Sequence, residues 1–338
     1  RDSSTSRGLG DVYKRQIIGE GYEGFFRGYF YYENQYVTHE NFASIINEEI
    51  LTSNDFAKWN GEYALIYTTP VETKLVTDMK RSIPLFYMED QSGNWLVQDY
   101  IQPQEGLNMN PEAEEEFLIT GFVFREKTLF KEWKQVPAVS YVTLQEKAVQ
   151  AYYYSYVLPK ETEPIDTFAA ELKTVFHDLF DDLASRLKDR QIVIPLSGGY
   201  DSRLIALALV ERGLKDNIIA FTYGRPGNGE STVSKQIADK LGLKWKYFAY
   251  DKKMWEDMYK SDEWKDYVVY SSNAVSVAHL QDFPSTKLLV EEEGLQDAVF
   301  LPGHSLDYLA GGHLPYESIV DKQFEKSEIC LLYTSPSP

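Results

Sequence analysis

The sequence predicts an α/β protein in two parts: a mainly-β, α+β front domain, followed by a doubly wound parallel sheet. Two observations carry this. Residues 17–157 are dominated by short β-rich runs with turn residues between them, and from 167 onward strand-like and helix-like segments alternate. With 338 residues, of which 43% are hydrophobic and 14% aromatic, the chain can fill two cores.

In the front part the runs FFRGYFYY (25–32), YALIYTT (63–69), KLVTD (74–78), PLFYM (84–88) and NWLVQDY (94–100) read as strands. Asn60-Gly61 and Ser92-Gly93-Asn94 read as turns between them, and 39–51 as a helix. The segment LPKETEPID, 158–166, is polar with two prolines and reads as a linker. Beyond it, Phe168, Leu172, Val175, Phe176, Leu179, Phe180, Leu183 and Leu187 form a helical apolar stripe. Strands are then expected at 192–196, 217–223, 244–249 and 297–301. Helices are expected at 202–212 and 230–241, closed by Gly213 and Gly242.

Both ends read as foreign to the fold. DVYKRQ (11–16) back-translates to DNA whose complement, one base out of phase, encodes CLLYTS (330–335), so the two tails match opposite strands of one element. A transposon adapter of a sequencing library has this property. Residues 1–16 and 330–338 are therefore expected to be adapter-derived, with 17–329 a natural segment cut at both ends. The only cysteine, Cys330, falls in the excluded tail, so a disulfide framework is not expected. Removing the four basic and two acidic residues of the front tail takes the net charge from −18 to −20. Such acidity argues against a nucleic-acid groove, and no apolar run approaches the roughly 20 residues of a membrane span. Cytoplasmic location is the default expectation.

The stretch IVIPLSGGYDSRLIALAL, 192–209, carries the chemistry. A glycine pair at the carboxyl end of the first strand of a β/α series lets backbone N–H groups and ligand oxygens come close. The helix that follows directs its unpaired N–H groups and positive dipole end at the same place. Ser197 and Ser202 add hydroxyls, and Asp201 can hold Mg²⁺, which takes carboxylate and phosphate oxygens. Together these suit a pyrophosphate. The bland reading is a tight βα turn with Asp201 as helix cap. No GxxxxGK[ST] is present, so this is not a Walker-type loop.

SGGYDS, 197–202, resembles the SGGxDS pyrophosphate loop of the ATP-pyrophosphatase superfamily. NIIAFTYG (217–224), with Glu230 and Ser231 beyond it, resembles the adenosine-holding region of asparagine-synthetase-like members. VFLPGHSLDYLAGGH (299–313) resembles their G-E-G-x-D-E-x-x-G-G-Y block, with His304, Leu306 and Tyr308 as departures. WNGEYALIY (59–67), LVTDMKRSIPLFY (75–87) and the stretch 120–144 are similar to the class II glutamine amidotransferase half of asparagine synthetases, an N-terminal-nucleophile (Ntn) type fold. The resemblance runs over 17–316 in that family's domain order.

This resemblance implies ATP and Mg²⁺ as cofactors, held at Leu196, Ser197, Gly198, Gly199, Tyr200, Asp201, Ser202, Thr222, Tyr223, Gly303 and His304. Asp201 and Asp307 are the implied metal ligands. It implies attack of a carboxylate on the α-phosphorus of ATP, release of pyrophosphate, and displacement of AMP by a nitrogen nucleophile. The expected partners are a small carboxylate and ammonia or another amine, without nucleic acid or membrane. Of the family's N-G-E-x-Y glutamine pocket, only Gly28 of Arg27-Gly28-Tyr29 is kept; Asp78 matches the aspartate that receives glutamine's amino group. The front domain is therefore expected not to hydrolyse glutamine. Two other readings stay open: a degenerate nucleotide-binding protein, favoured by the altered 304–308 block, and a surface-polysaccharide-pathway relative with a substrate other than aspartate, which TYGRPGNGES (222–231) and QDFP (281–284) suggest. A tRNA-modifying enzyme of the superfamily fits the acidity and the front half poorly. His39, His177, Glu114-Glu115-Glu116 and Glu291-Glu292-Glu293 read as surface features, while His304 and His313 flank the suspected metal block.

Overall fold

The computed structural model describes residues 15–155 and 164–304. They form two compact units, one of residues up to 158 together with Asp266–Ala278, the other of the remainder.

The first unit is built on antiparallel strands: β1 Gln16–Gly19, β2 Tyr22–Tyr32, β3 Gln35–Val37, β4 Asn60–Thr68, β5 Thr73–Thr77, β6 Phe86–Glu89, β7 Trp95–Gln98, β8 Lys134–Gln135, β9 Ser140–Leu144 and β10 Ala148–Tyr152. One sheet runs β1-β2-β4-β5-β9-β10 with β3 on β2, and a smaller sheet runs β7-β6-β8. Period-two alternation sorts β4 between two cores. Tyr63, Leu65 and Tyr67 join an aromatic cluster with Phe26, Phe30, Phe42, Phe56 and Trp59, while Ala64 and Ile66 pack with Leu75, Val142, Leu85 and Tyr87. Phe30 stacks on Trp59 at 4.2 Å between centroids. Gln16, in the segment expected to be foreign, pairs with Phe25 through backbone alone, which any residue can do.

Two local expectations are corrected and a third holds. Residues 39–51 form two short helices, α1 Phe42–Ile45 and α2 Glu48–Thr52, because Ile46 is extended and Asn47 starts the second by accepting from the Ile50 N–H. Asn60-Gly61 is not a turn but the start of β4. A Cβ on Gly61 would lie 2.2 Å from the Tyr29 carbonyl, so the glycine serves close approach of β2. Ser92-Gly93-Asn94 does turn, held by Asp90, whose carboxylate accepts from the N–H groups of Ser92 and Asn94. α3 Pro111–Thr120 completes the sequence-local part of this unit.

The second unit has β11 Ile192–Pro195, β12 Ile218–Gly224, β13 Lys244–Ala249 and β14 Val299–Phe300, all parallel, in the order β13-β12-β11-β14. Its helices are α4 Ile165–Leu187, α5 Tyr200–Glu211, α6 Gly229–Leu241, α7 Lys252–Lys260, α8 Asp262–Ser272 (whose later residues group with the first unit) and α9 Phe283–Glu293. Ile192, Ile194, Ile218 and Ala220 pack with α4, α5 and α6 on one face; Val193, Ile219 and Phe221 pack with Leu289, Trp255 and Met254 on the other. Helices on both faces of a parallel sheet make a doubly wound unit. α4 starts at Ile165, so the end of the expected linker is helical, while 156–163 lie outside the described residues. Its apolar stripe divides: Phe176, Phe180, Leu183 and Leu187 join the core, but Phe168, Leu172, Val175 and Leu179 are exposed. No described helix is long and apolar enough to cross a membrane.

One segment was not foreseen. Residues 273–277 lie in the first unit: the Val123 N–H donates to the Val275 carbonyl, the Val277 N–H to that of Gly121, and the Ile101 N–H to Asn273 Oδ1 at 2.6 Å.

Candidate functional site

β11 lies between β12 and β14, the strand next in sequence and the last one described, so strand order reverses there. Ligands of open parallel sheets bind at the carboxyl ends of strands beside such a switch point. A cavity of about 270 Å³ sits there, lined by Leu196, Ser197, Gly199, Asp201, Ser202, Thr222, Tyr223, Glu230, Gln281, Asp282, Gly303 and His304 among others. Nine of the sequence-predicted residues meet in its walls. Gly198 and Tyr200 do not line it: the Gly198 carbonyl accepts from Arg203 Nη2 at 2.9 Å, and Tyr200 is 82% exposed beside Arg203. Asp307, Leu306, Tyr308 and His313 lie outside the described residues.

The loop is held from within. Gly199 is the N-cap of α5 and makes no side-chain cap; Asp201 sits in the first turn instead of capping it. The Gly199 N–H donates to Ser197 Oγ at 3.1 Å, and Ser202 Oγ accepts from the Ser197 N–H and lies 3.1 Å from Ser197 Oγ. Ser202 is thus buried and braces the loop, and Gly199's N–H is turned to Ser197. The adjoining strand end is fixed by Thr222, whose hydroxyl donates to the Leu196 carbonyl at 2.6 Å and accepts from the Trp245 indole at 3.2 Å.

Gly303 explains how the last strand reaches the loop. A Cβ there would meet the Ser202 N at 2.6 Å and Asp201 Cβ at 3.1 Å, so only glycine lets the end of β14 lie against the start of α5. His304, the next residue, is thereby brought into the cavity wall.

Sequence reasoning left out the fourth wall. Asp282 accepts from the Tyr223 hydroxyl and lies 2.8 Å from His279 Nδ1; the rings of His279 and His304 are 5.7 Å apart. Burial, reinforced by Asp282, pushes the Tyr223 hydroxyl far above its usual range, so it is a neutral donor. Tyr250 stacks on Tyr223 at 5.0 Å, donates to the Gln281 carbonyl, and is pushed up to about 12 by burial. The His279-x-x-Asp282 spacing was the available signal, but nothing in the pattern tied it to the glycine loop.

Asp78, the candidate glutamine-pocket residue, is fully buried in the first unit. Its carboxylate accepts from the N–H groups of Tyr63, Lys80 and Ser82 and from the Ser82 hydroxyl. Arg27-Gly28-Tyr29 lies within β2; Gly28 has φ +102° and a Cβ would stand 2.0 Å from the Glu62 carbonyl.

No protein-family profile matches the chain, and no curated protein matches it. Solved structures do; one is the NH3-dependent NAD synthetase from Campylobacter jejuni subsp. jejuni NCTC 11168, 19% identical, with a TM-score of 0.30 over 47% of this chain and 71% of that chain. A likeness at that TM-score carries no argument, and the fold stands on the strand order alone.

Proposed function

We propose that the protein is an AMP-forming amide ligase of the asparagine-synthetase-like kind: it activates a small carboxylate with ATP and passes the acyl group to ammonia or another amine. The observation that supports this is the placement of the SGGYDS loop and Gly303-His304 together at the carboxyl ends of β11 and β14, beside Thr222 and Tyr223 of β12. Two anions must meet for the carboxylate to attack the α-phosphorus, so the chain's task is to orient them and offset their repulsion. The amino end of α5 faces the leaving pyrophosphate, and the neutral Tyr223 hydroxyl and Thr222 shape the nucleotide side.

Asp201 suits Mg²⁺, which takes one or two carboxylates and completes its shell with phosphate oxygens and water. Among the described residues no group of three or more His, Cys, Asp or Glu could hold a metal ion. When bound, Mg²⁺ would neutralise phosphate charge; Asp307 is the proposed second ligand.

In this reading the first unit does not hydrolyse glutamine, because Asp78 is engaged in its own turn and Arg27 stands where the family pattern has asparagine. Carboxylate-dependent exchange of labelled pyrophosphate into ATP by the full-length protein tests the ligase. The second reading, a nucleotide-binding protein without ligase chemistry, is favoured by His304 in place of the family's glutamate; it predicts ATP binding with no exchange for any acid tried.

A further inference from the structure

The first unit holds a second cavity, also of about 270 Å³, whose walls include Arg27, Arg81, Ser82, Asp99, Ser271 and Asn273. Asp78 is not among them. Arg81 is its unusual member. Its Nε donates to the Val136 carbonyl at 3.1 Å and its guanidinium lies over the Phe86 ring at 5.2 Å, so its plane is fixed from two sides. Its Nη2 is buried without a hydrogen-bond partner. Burial pushes the guanidinium down to about 10, so it stays charged at neutral pH.

The other charges nearly settle among themselves. Arg27 pairs with Asp99 at 2.8 Å, leaving the wall with one positive charge in excess, that of Arg81. Asn273 is locked by the Ile101 N–H and the Asp99 carbonyl, so that wall is preformed. Ser271 contributes a hydroxyl, and Ile83, Pro84 and Val275 supply apolar surface.

We propose that this cavity is a binding site for a small monocarboxylate, seated on Arg81 and the Ser271 hydroxyl with its alkyl end against Ile83, Pro84 and Val275. A guanidinium suits a carboxylate through a charge-assisted N–H donor. One excess charge among the lining side chains matches a monoanion better than a phosphate.

The test uses the full chain, with acetate as probe and saturation-transfer NMR on its methyl protons, at constant ionic strength against chloride and sulfate. Wild-type protein is expected to bind acetate saturably and to gain melting temperature with it. Arg81→Gln should weaken binding by about tenfold or more, the loss of a charge-assisted pair. Ser271→Phe, which fills the cavity and leaves Arg81 in place, should abolish it, and this variant decides the matter if Arg81→Gln does not fold. No saturable acetate binding, equal response to sulfate, or unchanged binding in Ser271→Phe would each overturn the assignment.

Discussion

Asp78 and Asp201 both follow a strand, yet their surroundings differ. Asp78 is buried and its oxygens are occupied by three backbone N–H groups and a hydroxyl of its own unit. Asp201 stands in the wall of a cavity, in the first turn of a helix whose cap is a glycine. A motif match therefore says which residue type is present, and the surroundings of that residue differ with its place in the fold.

The largest expected effect breaks that comparison on the side of the fold. Asp78→Ala takes the acceptor from three backbone N–H groups, that of Tyr63 buried and those of Lys80 and Ser82 partly buried, and should cost on the order of 3 kcal/mol in urea unfolding. Asp201→Asn should stay within about 0.5 kcal/mol of wild type in the same experiment, as for a change away from the core. Equal losses would mean that Asp201 is also structural.

Gly303→Ala comes next. Its methyl would collide with the Ser202 backbone, so a loss of about 1–3 kcal/mol is expected from overpacking, together with weaker ATP binding as the β14 end moves off the loop. Stability loss with unchanged ATP affinity would show that the last strand is not part of the site. Thr222→Val keeps the shape and removes the hydroxyl that anchors Leu196, for about 1 kcal/mol. The smallest change is at the far end of the first unit. Asn47→Ala removes the cap of α2 and should cost about 1 kcal/mol or less, with no effect on nucleotide binding.

The rear unit was legible because its signals are local and periodic. Gly242 closes α6 at φ +68° as its position suggests, and the glycine loop follows a strand of Ile, Val and Ile buried on both faces. What the sequence did not show depends on contacts between distant residues. Asn60-Gly61 has turn chemistry, but β2 approaching at Tyr29 and Phe30 makes it strand. The bond by which Ser202 Oγ accepts from the Ser197 N–H, bracing the loop, is likewise set by the loop's own curl. Asn273 reaches Ile101 across 172 residues, and no local pattern announces a segment that leaves one unit to complete another. His279 and Asp282 joined the site for the same reason, through Tyr223 on a neighbouring strand.

The central claim is that the loop at 196–202 holds ATP through its pyrophosphate, with Asp201 serving the accompanying cation. Titration of ATP with Mg²⁺, with inorganic pyrophosphate as competitor, tests it on wild-type protein and Asp201→Asn. Wild type should bind ATP with Mg²⁺-dependent affinity and release it to pyrophosphate, and Asp201→Asn should lose the Mg²⁺ dependence while remaining folded. ATP binding that pyrophosphate does not displace, or that Asp201→Asn leaves unchanged, would contradict the claim.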